Sequence, residues 1–294
     1  MNTNVNASYI NVNGVNHYIQ WIKSPNLTDT PKPVMVFLHG WGGSGRYWQS
    51  TAQALSDQFD CLIYDLRGFG GSNKLGDLPI PYHDSRYELT EYAQDLICLL
   101  DTLELDQIYL NAHSMGGSIA ALYLNLQPSR VKQAILTCSG IFEYDEKTFT
   151  TFHKFSRYVV QFRPKWLTQI PLMDKFFMAR FLYRSLPRAD SRAFLEDFLL
   201  ADFDAAYGTV LTSVSQAATE WLPQEFKKLT VPTLLVAGEY DQIIPAEMGR
   251  QAAALNDKVT LAILPKTAHF PMLEDPETYL KTVRGFLQQT VNYS

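Results

Sequence analysis

The chain has 294 residues, 46% of them hydrophobic, and a formal net charge of −5. That apolar content suffices for one large core or for a core carrying an insertion. The acidic balance excludes nucleic-acid binding as the main business of the protein, because phosphate backbones demand a net basic footprint.

The N-terminal MNTNVNASYINVNG has neither a basic start nor a continuous apolar stretch, so no signal peptide is expected. SYINV and NHYIQWI alternate with period two about Asn13-Gly14, which reads as a β-hairpin. VMVFLHG is the wholly apolar run of a buried strand and leads into the glycine-rich HGWGGSG. A helix over YWQSTAQALSDQ and a strand over FDCLIYD follow. From Leu89 the apolar positions Tyr92, Ala93, Leu96, Ile97, Leu100 and Leu103 keep helical spacing, with Thr90 as the expected N-cap.

QIYLNA is then a strand, SIAALYLNL a helix and VKQAILTC a strand. Near the end VPTLLVAG and VTLAILP are strands, and an amphipathic helix covers roughly 276–289. Strands alternating with helices, on apolar rather than half-apolar runs, predict a mainly parallel sheet with helices on both faces and the hairpin as an antiparallel edge. Residues 141–225 break this rhythm with aromatic-rich helical segments and no convincing strand. They are expected to form a helical cap over the carboxyl ends of the strands, on a core made of 1–140 and 226–294. Cys61, Cys98 and Cys138 lie in apolar runs without metal-ligand spacing and are expected to be buried and reduced. No window reaches the ~18 apolar residues of a spanning helix, so the cytoplasm is the expected location.

Between the strand QIYLNA and the helix SIAALYLNL stands A-H-S-M-G. A serine on a sharp strand-to-helix turn projects its hydroxyl above the sheet, and only small residues fit two positions to either side. Ala112 and Gly116 meet that need around Ser114. A serine hydroxyl needs an adjacent base to become a nucleophile. His269, in LPKTAHFPMLEDP, follows the last strand on the side where Ser114 emerges, whereas His113, next to the serine, is read as structural. The imidazole needs an acid to fix its tautomer. GEYDQIIP offers Glu239 and Asp241, and Asp241, farther into the loop, is preferred. The order Ser, Asp, His fits nucleophile-elbow hydrolases rather than other serine triads. HGWGGSG is placed to offer the Trp41 amide to an oxyanion, and Met115 the second amide. It lacks the Lys-Ser/Thr ending of a phosphate-binding loop.

Taken in order, HGWGGSG, DLRGFGGS (65–72), AHSMGG, GEYDQIIP and AHFPMLEDP resemble the α/β-hydrolase superfamily with a serine nucleophile. The resemblance spans nearly the whole chain outside the cap, and Ala112 is its one departure. It implies an α/β-hydrolase fold, Ser114 as nucleophile, His269 as base, Asp241 as acid, the amides of Trp41 and Met115 as oxyanion hole, and no cofactor or metal. The activity it implies is hydrolysis of carboxylic esters with a hydrophobic acyl or alcohol part. Carbon–carbon bond hydrolysis, acyl transfer and slow-turnover ligand reception use the same three residues.

From Lys154 to Arg192 nine Lys/Arg face two acids, Asp174 and Asp190, with eight aromatics interleaved; Arg180, Arg184, Arg188 and Arg192 recur every four residues. On the plain reading the aromatics pack the cap onto the sheet and the cations are solvated. On the other, this face touches an anionic membrane surface, or an acidic partner, and feeds an apolar substrate to Ser114.

Overall fold

The structure is a computed structural model and describes residues 4–25, 31–72, 84–141 and 146–289. Strands β1 (Asn4–Val12) and β2 (Val15–Lys23) form the hairpin. Asn13 and Gly14 both take positive φ, 51° and 79°, the conformation a two-residue hairpin turn demands, and Val12 pairs with Val15 across it.

The chain then runs through β3 (Val34–Leu38), α1 (Gln49–Leu55), β4 (Asp60–Tyr64), α2 (Leu89–Thr102), β5 (Ile108–His113), α3 (Met115–Leu126) and β6 (Val131–Thr137). α2 begins at Leu89, one residue before the expected cap, so Thr90 lies inside its first turn and Glu88 holds the N-cap position. After β6, among the described residues, come α4 (Glu146–Gln161), α5 (Met173–Met178), α6 (Arg188–Leu200), α7 (Phe203–Ser213) and α8 (Gln216–Lys228), with a short 3-10 helix at Lys165–Gln169. β7 (Thr233–Gly238), α9 (Ala246–Ala253), β8 (Val259–Leu264), α10 (Pro271–Glu274) and α11 (Pro276–Gln289) complete the chain.

The eight strands lie in the order β1-β2-β4-β3-β5-β6-β7-β8. β1 and β2 are antiparallel, and every pairing from β4 to β8 is parallel. The central strands are apolar on both faces because both faces are covered. On one side Leu96, Ile119, Tyr123, Leu222 and Phe226 pack from α2, α3 and α8. On the other, Leu55, Tyr279 and Val283 pack from α1 and α11, with Trp48 beside them. β1, at the edge, is exposed along most of its length.

From β3 the chain crosses to β4 on one side and then returns to β5 on the other. The carboxyl ends of β3 and β5 therefore flank a reversal of strand order, where open α/β sheets form their crevice. α5 packs on α6 and α4 on α7, while α8 lies against α3 and α9 over the sheet. No described helix is long and apolar enough to cross a membrane. Cys61 and Cys138 are buried and unpaired; Cys98 is only half-buried, on the flank of α2.

Candidate active site

Ser114 joins β5 to α3 with φ 53° and ψ −122°, a conformation that costs a non-glycine residue on the order of 1–3 kcal/mol. The local packing enforces it. A Cβ at Gly116 would come 2.6 Å from the His39 carbonyl oxygen, and one at Gly117 would come 2.7 Å from the Ser139 Cβ. The helix therefore presses so closely on β3 and the end of β6 that only glycines fit. Ala112, fully buried, pairs with Leu38 and Leu136 and shows that one methyl is tolerated on the strand side. The Ser114 amide donates to the Thr137 carbonyl, 2.9 Å away.

The loop after β8 brings His269 to this serine. Ser114 Oγ lies 3.1 Å from His269 Nε2, and His269 Nδ1 lies 2.8 Å from Asp241 Oδ2. Ring nitrogens take their roles from these partners: Nδ1–H donates to the carboxylate and Nε2 accepts from the serine hydroxyl. Asp241 stands on the loop after β7, and its other oxygen accepts from the amides of Ile243 (2.8 Å) and Ile244 (3.0 Å). Burial alone would raise this carboxyl, but the His269 interaction and the two amides outweigh it and hold it below its ordinary value. Glu239, the other candidate acid, is exposed and accepts from the Lys266 amide instead.

His269 is held at both ends of its own main chain. Its amide donates to the Phe181 carbonyl from the helical insertion, and its carbonyl accepts from His113 Nε2 at 2.7 Å. His113 is buried in turn, and burial first, then the neighbouring His269, keeps it well below the usual histidine range. Its Nδ1 accepts from the Tyr47 hydroxyl (2.9 Å), which accepts from the Gly40 amide (2.6 Å). Glu274, almost fully buried, collects four amides. Oε1 accepts from Ala268 and Phe270 on the histidine loop, and Oε2 from Tyr183 and Arg184 in the insertion. Sequence reasoning missed Tyr47, Phe181 and Glu274, because the contacts that tie them to His113, His269 and the 183–184 amides reach across many tens of residues.

The glycine-rich loop crosses over the serine: a Cβ on Gly40 would touch the Ser114 Cβ at 3.0 Å. Trp41 is pinned by its indole N–H, which donates to the Ala206 carbonyl (2.8 Å), and by ring contact with Phe198. Met115 is the first residue of α3, so its amide is one of those a helix leaves without an internal acceptor. The remainder of the loop is clamped from two sides. Asp65 accepts from the amides of Gly45 and Gly71, and Asp197 of α6 accepts from Ser44 Oγ and Arg46 Nε. Burial pushes both carboxyls up to about 6.

A cavity of about 90 Å³ opens on Ser114 and His269, walled by Trp41, Phe177, Phe181, Phe194, Phe198 and Ile243. It is smaller than the ~150 Å³ space that accommodates benzene, and its walls offer chiefly apolar surface. The other histidines stand apart from the serine. His39 accepts from the Leu66 amide and is held down at about 4 by burial; His17 bonds the Asp65 carbonyl; His153 bonds the Val214 carbonyl. His83 lies outside the described residues.

Among the described residues His113, Cys138 and His269 bring three ligand atoms within 4.8 Å. They suit a metal poorly: both ring nitrogens of each histidine are engaged in the bonds above, and burial keeps the Cys138 thiol protonated.

Known proteins agree with this architecture. The family model of the alpha/beta hydrolase fold matches residues 33–276, and the chain belongs to that family, whose chemistry is hydrolysis. It is similar to the uncharacterized hydrolase YugF of Bacillus subtilis (strain 168), with 23% identity over 94% of this chain and 96% of the relative. It is also similar to the proline iminopeptidase of Heyndrickxia coagulans, with 25% identity over 87% of this chain and 90% of the relative. Among solved structures, the esterase EaEST from Exiguobacterium antarcticum superposes with a TM-score of 0.78 at 21% identity, covering 96% of this chain and 99% of the other.

Proposed function

We propose that this hydrolase cleaves carboxylic esters with a small apolar acyl part through an acyl-enzyme on Ser114. The observation that carries the reading is the continuous relay from Ser114 Oγ through the His269 ring to Asp241, at 3.1 and 2.8 Å, opening on an aromatic cavity. His269 Nε2 takes the hydroxyl proton as Oγ bonds to the carbonyl carbon, and the amides of Trp41 and Met115 receive the developing oxyanion. The ester C–O bond then breaks, and the alcohol leaves with the proton that His269 held. Water gives a proton to His269 as it attacks the acyl carbon. The acid departs, and the proton returns to Ser114. Asp241 fixes the tautomer and stabilises the imidazolium.

The division into a core and a cap over 141–225 belongs to the same proposal. Phe177, Phe181, Phe194 and Phe198, from the insertion, roof the cavity. α8 spans the inner boundary, since its Leu222 and Phe226 pack into the sheet cluster. The relatives include a proline iminopeptidase and putative carbamate hydrolases, so the ester preference rests on the apolar cavity, whose lining among the described residues holds no Asp, Glu, Lys or Arg to grip an amino terminus.

A fluorophosphonate probe and a panel of chromogenic esters of increasing acyl length test the reading. Labelling of Ser114, loss of labelling and turnover in Ser114→Ala, and a rate that peaks at short acyl chains beyond acetate are the expected results. Asp241→Asn should cut turnover by up to about 10⁴-fold. Undiminished turnover in Ser114→Ala would refute the mechanism.

A further inference from the structure

The aromatics of the insertion divide between two surfaces. Phe177 and Phe181 wall the cavity, but Phe155, Tyr158 and Phe162 are 64, 72 and 70% exposed. The first two of these sit on α4 at i and i+3, and Phe162 follows its last residue at i+7, so the three extend one helix face into solvent. Trp166, Leu172 and Phe176 carry the apolar surface onward, Phe176 at 79% exposure. Phe162 also borders a shallow depression with Leu199 and Phe203. Singly scattered apolar residues need no explanation, but a run of this size left exposed on one chain marks a contact site.

The cations of the same segment divide as well. Arg163 bonds the carbonyls of Val160 and Phe198, and Arg184, Arg188 and Arg192 pair with Asp275, Asp174 and Glu196. Lys154, Arg157, Lys165, Lys175 and Arg180 are exposed and have no ion pair among the described residues. The chain as a whole is negative, so this concentration of unengaged positive charge is set against the protein's own balance.

We propose that the outer face of α4, the 162–172 segment and α5 docks on the surface of an anionic lipid bilayer. The composition is that of an interfacial helix: aromatic side chains that enter the headgroup region, flanked by Lys and Arg for the lipid phosphates. The side chains project from the surface, whereas a groove built for a peptide would bury its lining. α5 ties this face to the cavity, since Phe176 points outward and its neighbour Phe177 lines the space above Ser114. Docking would therefore set the roof of the cavity against the lipid. The proposal goes beyond the ester-hydrolase reading and does not depend on it.

Sedimentation with phosphatidylcholine vesicles, with and without phosphatidylglycerol, tests it on the full chain. Binding should require the anionic lipid, weaken with added salt, and drop about fivefold for each unit of positive charge removed from an engaged site. Lys154→Glu with Arg157→Glu, and separately Phe155→Ser with Phe176→Ser, should each abolish most of the binding. None of these side chains touches the cavity, so the far-UV circular dichroism and thermal midpoint should be unchanged, which certifies the fold. Absence of binding to anionic vesicles, equal binding to both compositions, or variants that bind like the parent would overturn the proposal. So would a dimer in light scattering that the Phe variants dissociate, since the face would then belong to a second copy.

Discussion

His113 donates from Nε2 to the main-chain carbonyl of His269, 2.7 Å away, so the residue beside the serine in sequence fixes the backbone of the imidazole that faces that serine. Tyr47 completes the arrangement by donating to His113 Nδ1 while accepting the Gly40 amide. One hydroxyl thus ties the glycine-rich loop to the histidine loop.

Tyr47→Phe should therefore act on both. It strands the Gly40 amide in a buried place, which costs about 1–3 kcal/mol, and it leaves His113 free to change tautomer or tilt. Denaturant unfolding should show the loss of stability, and steady-state kinetics should show a fall in kcat larger than any rise in KM. A variant with unaltered kcat would mean that His113 merely fills space.

Ser114→Gly should separate stability from chemistry. Glycine adopts φ 53° without the steric cost that serine bears, although the unfolded chain also gains freedom. The expected result is no ester turnover together with a thermal midpoint at or above that of the parent, read by calorimetry. A large drop in the midpoint would show that the serine hydroxyl, rather than the turn, holds this junction together.

Glu274→Gln replaces two accepting oxygens with one, so two of the four amides from Ala268, Phe270, Tyr183 and Arg184 would face an N–H₂ group. Each unsatisfied buried donor costs about 1–3 kcal/mol. We expect a destabilised protein with reduced turnover, and faster backbone hydrogen exchange in both the 181–184 and 268–270 segments. Exchange that quickens in only one of them would deny that Glu274 couples the insertion to the histidine loop.

Stability should decline as pH falls from about 6.5 towards 4. His17, His39 and His113 are held below the ordinary histidine value by burial, so the unfolded chain takes up their protons first and native stability is lost across that interval. Asp65 and Asp197, raised to about 6 by burial, bind protons in the folded state first and oppose the loss over nearly the same range. The histidines and the carboxyls therefore pull in opposite directions, and the histidines, being the more numerous, set the expected sign. Urea titrations at closely spaced pH values measure the slope, and a stability that rises on acidification would show the aspartates to dominate.

Local pattern was enough to read the alternation of strands and helices, the hairpin at Asn13-Gly14 and the sharp turn at Ser114. Each depends on side-chain period or on backbone freedom within a few residues. The same pattern set Thr90 at the head of α2, where the helix begins at Leu89; helix ends are decided by weak, competing caps. It marked Asp241 and His269 as candidates from their places after strands. Their 2.8 Å separation, and the exclusion of Glu239 from the ring, required the strand order that lays β7 and β8 side by side.

Sequence alone determined which residue types were available and roughly where the sheet would present them, because hydrophobic period and turn chemistry are short-range properties. Only the tertiary structure decided that Phe181, His113 and Glu274 hold the histidine loop, and that Phe176 faces outward while Phe177 faces the cavity. Hydrogen bonds between distant segments, such as those from Phe181 and His113 and from Glu274 to Tyr183 and Arg184, and the sidedness of a short helix are set by packing across the whole chain, which no short window of sequence records.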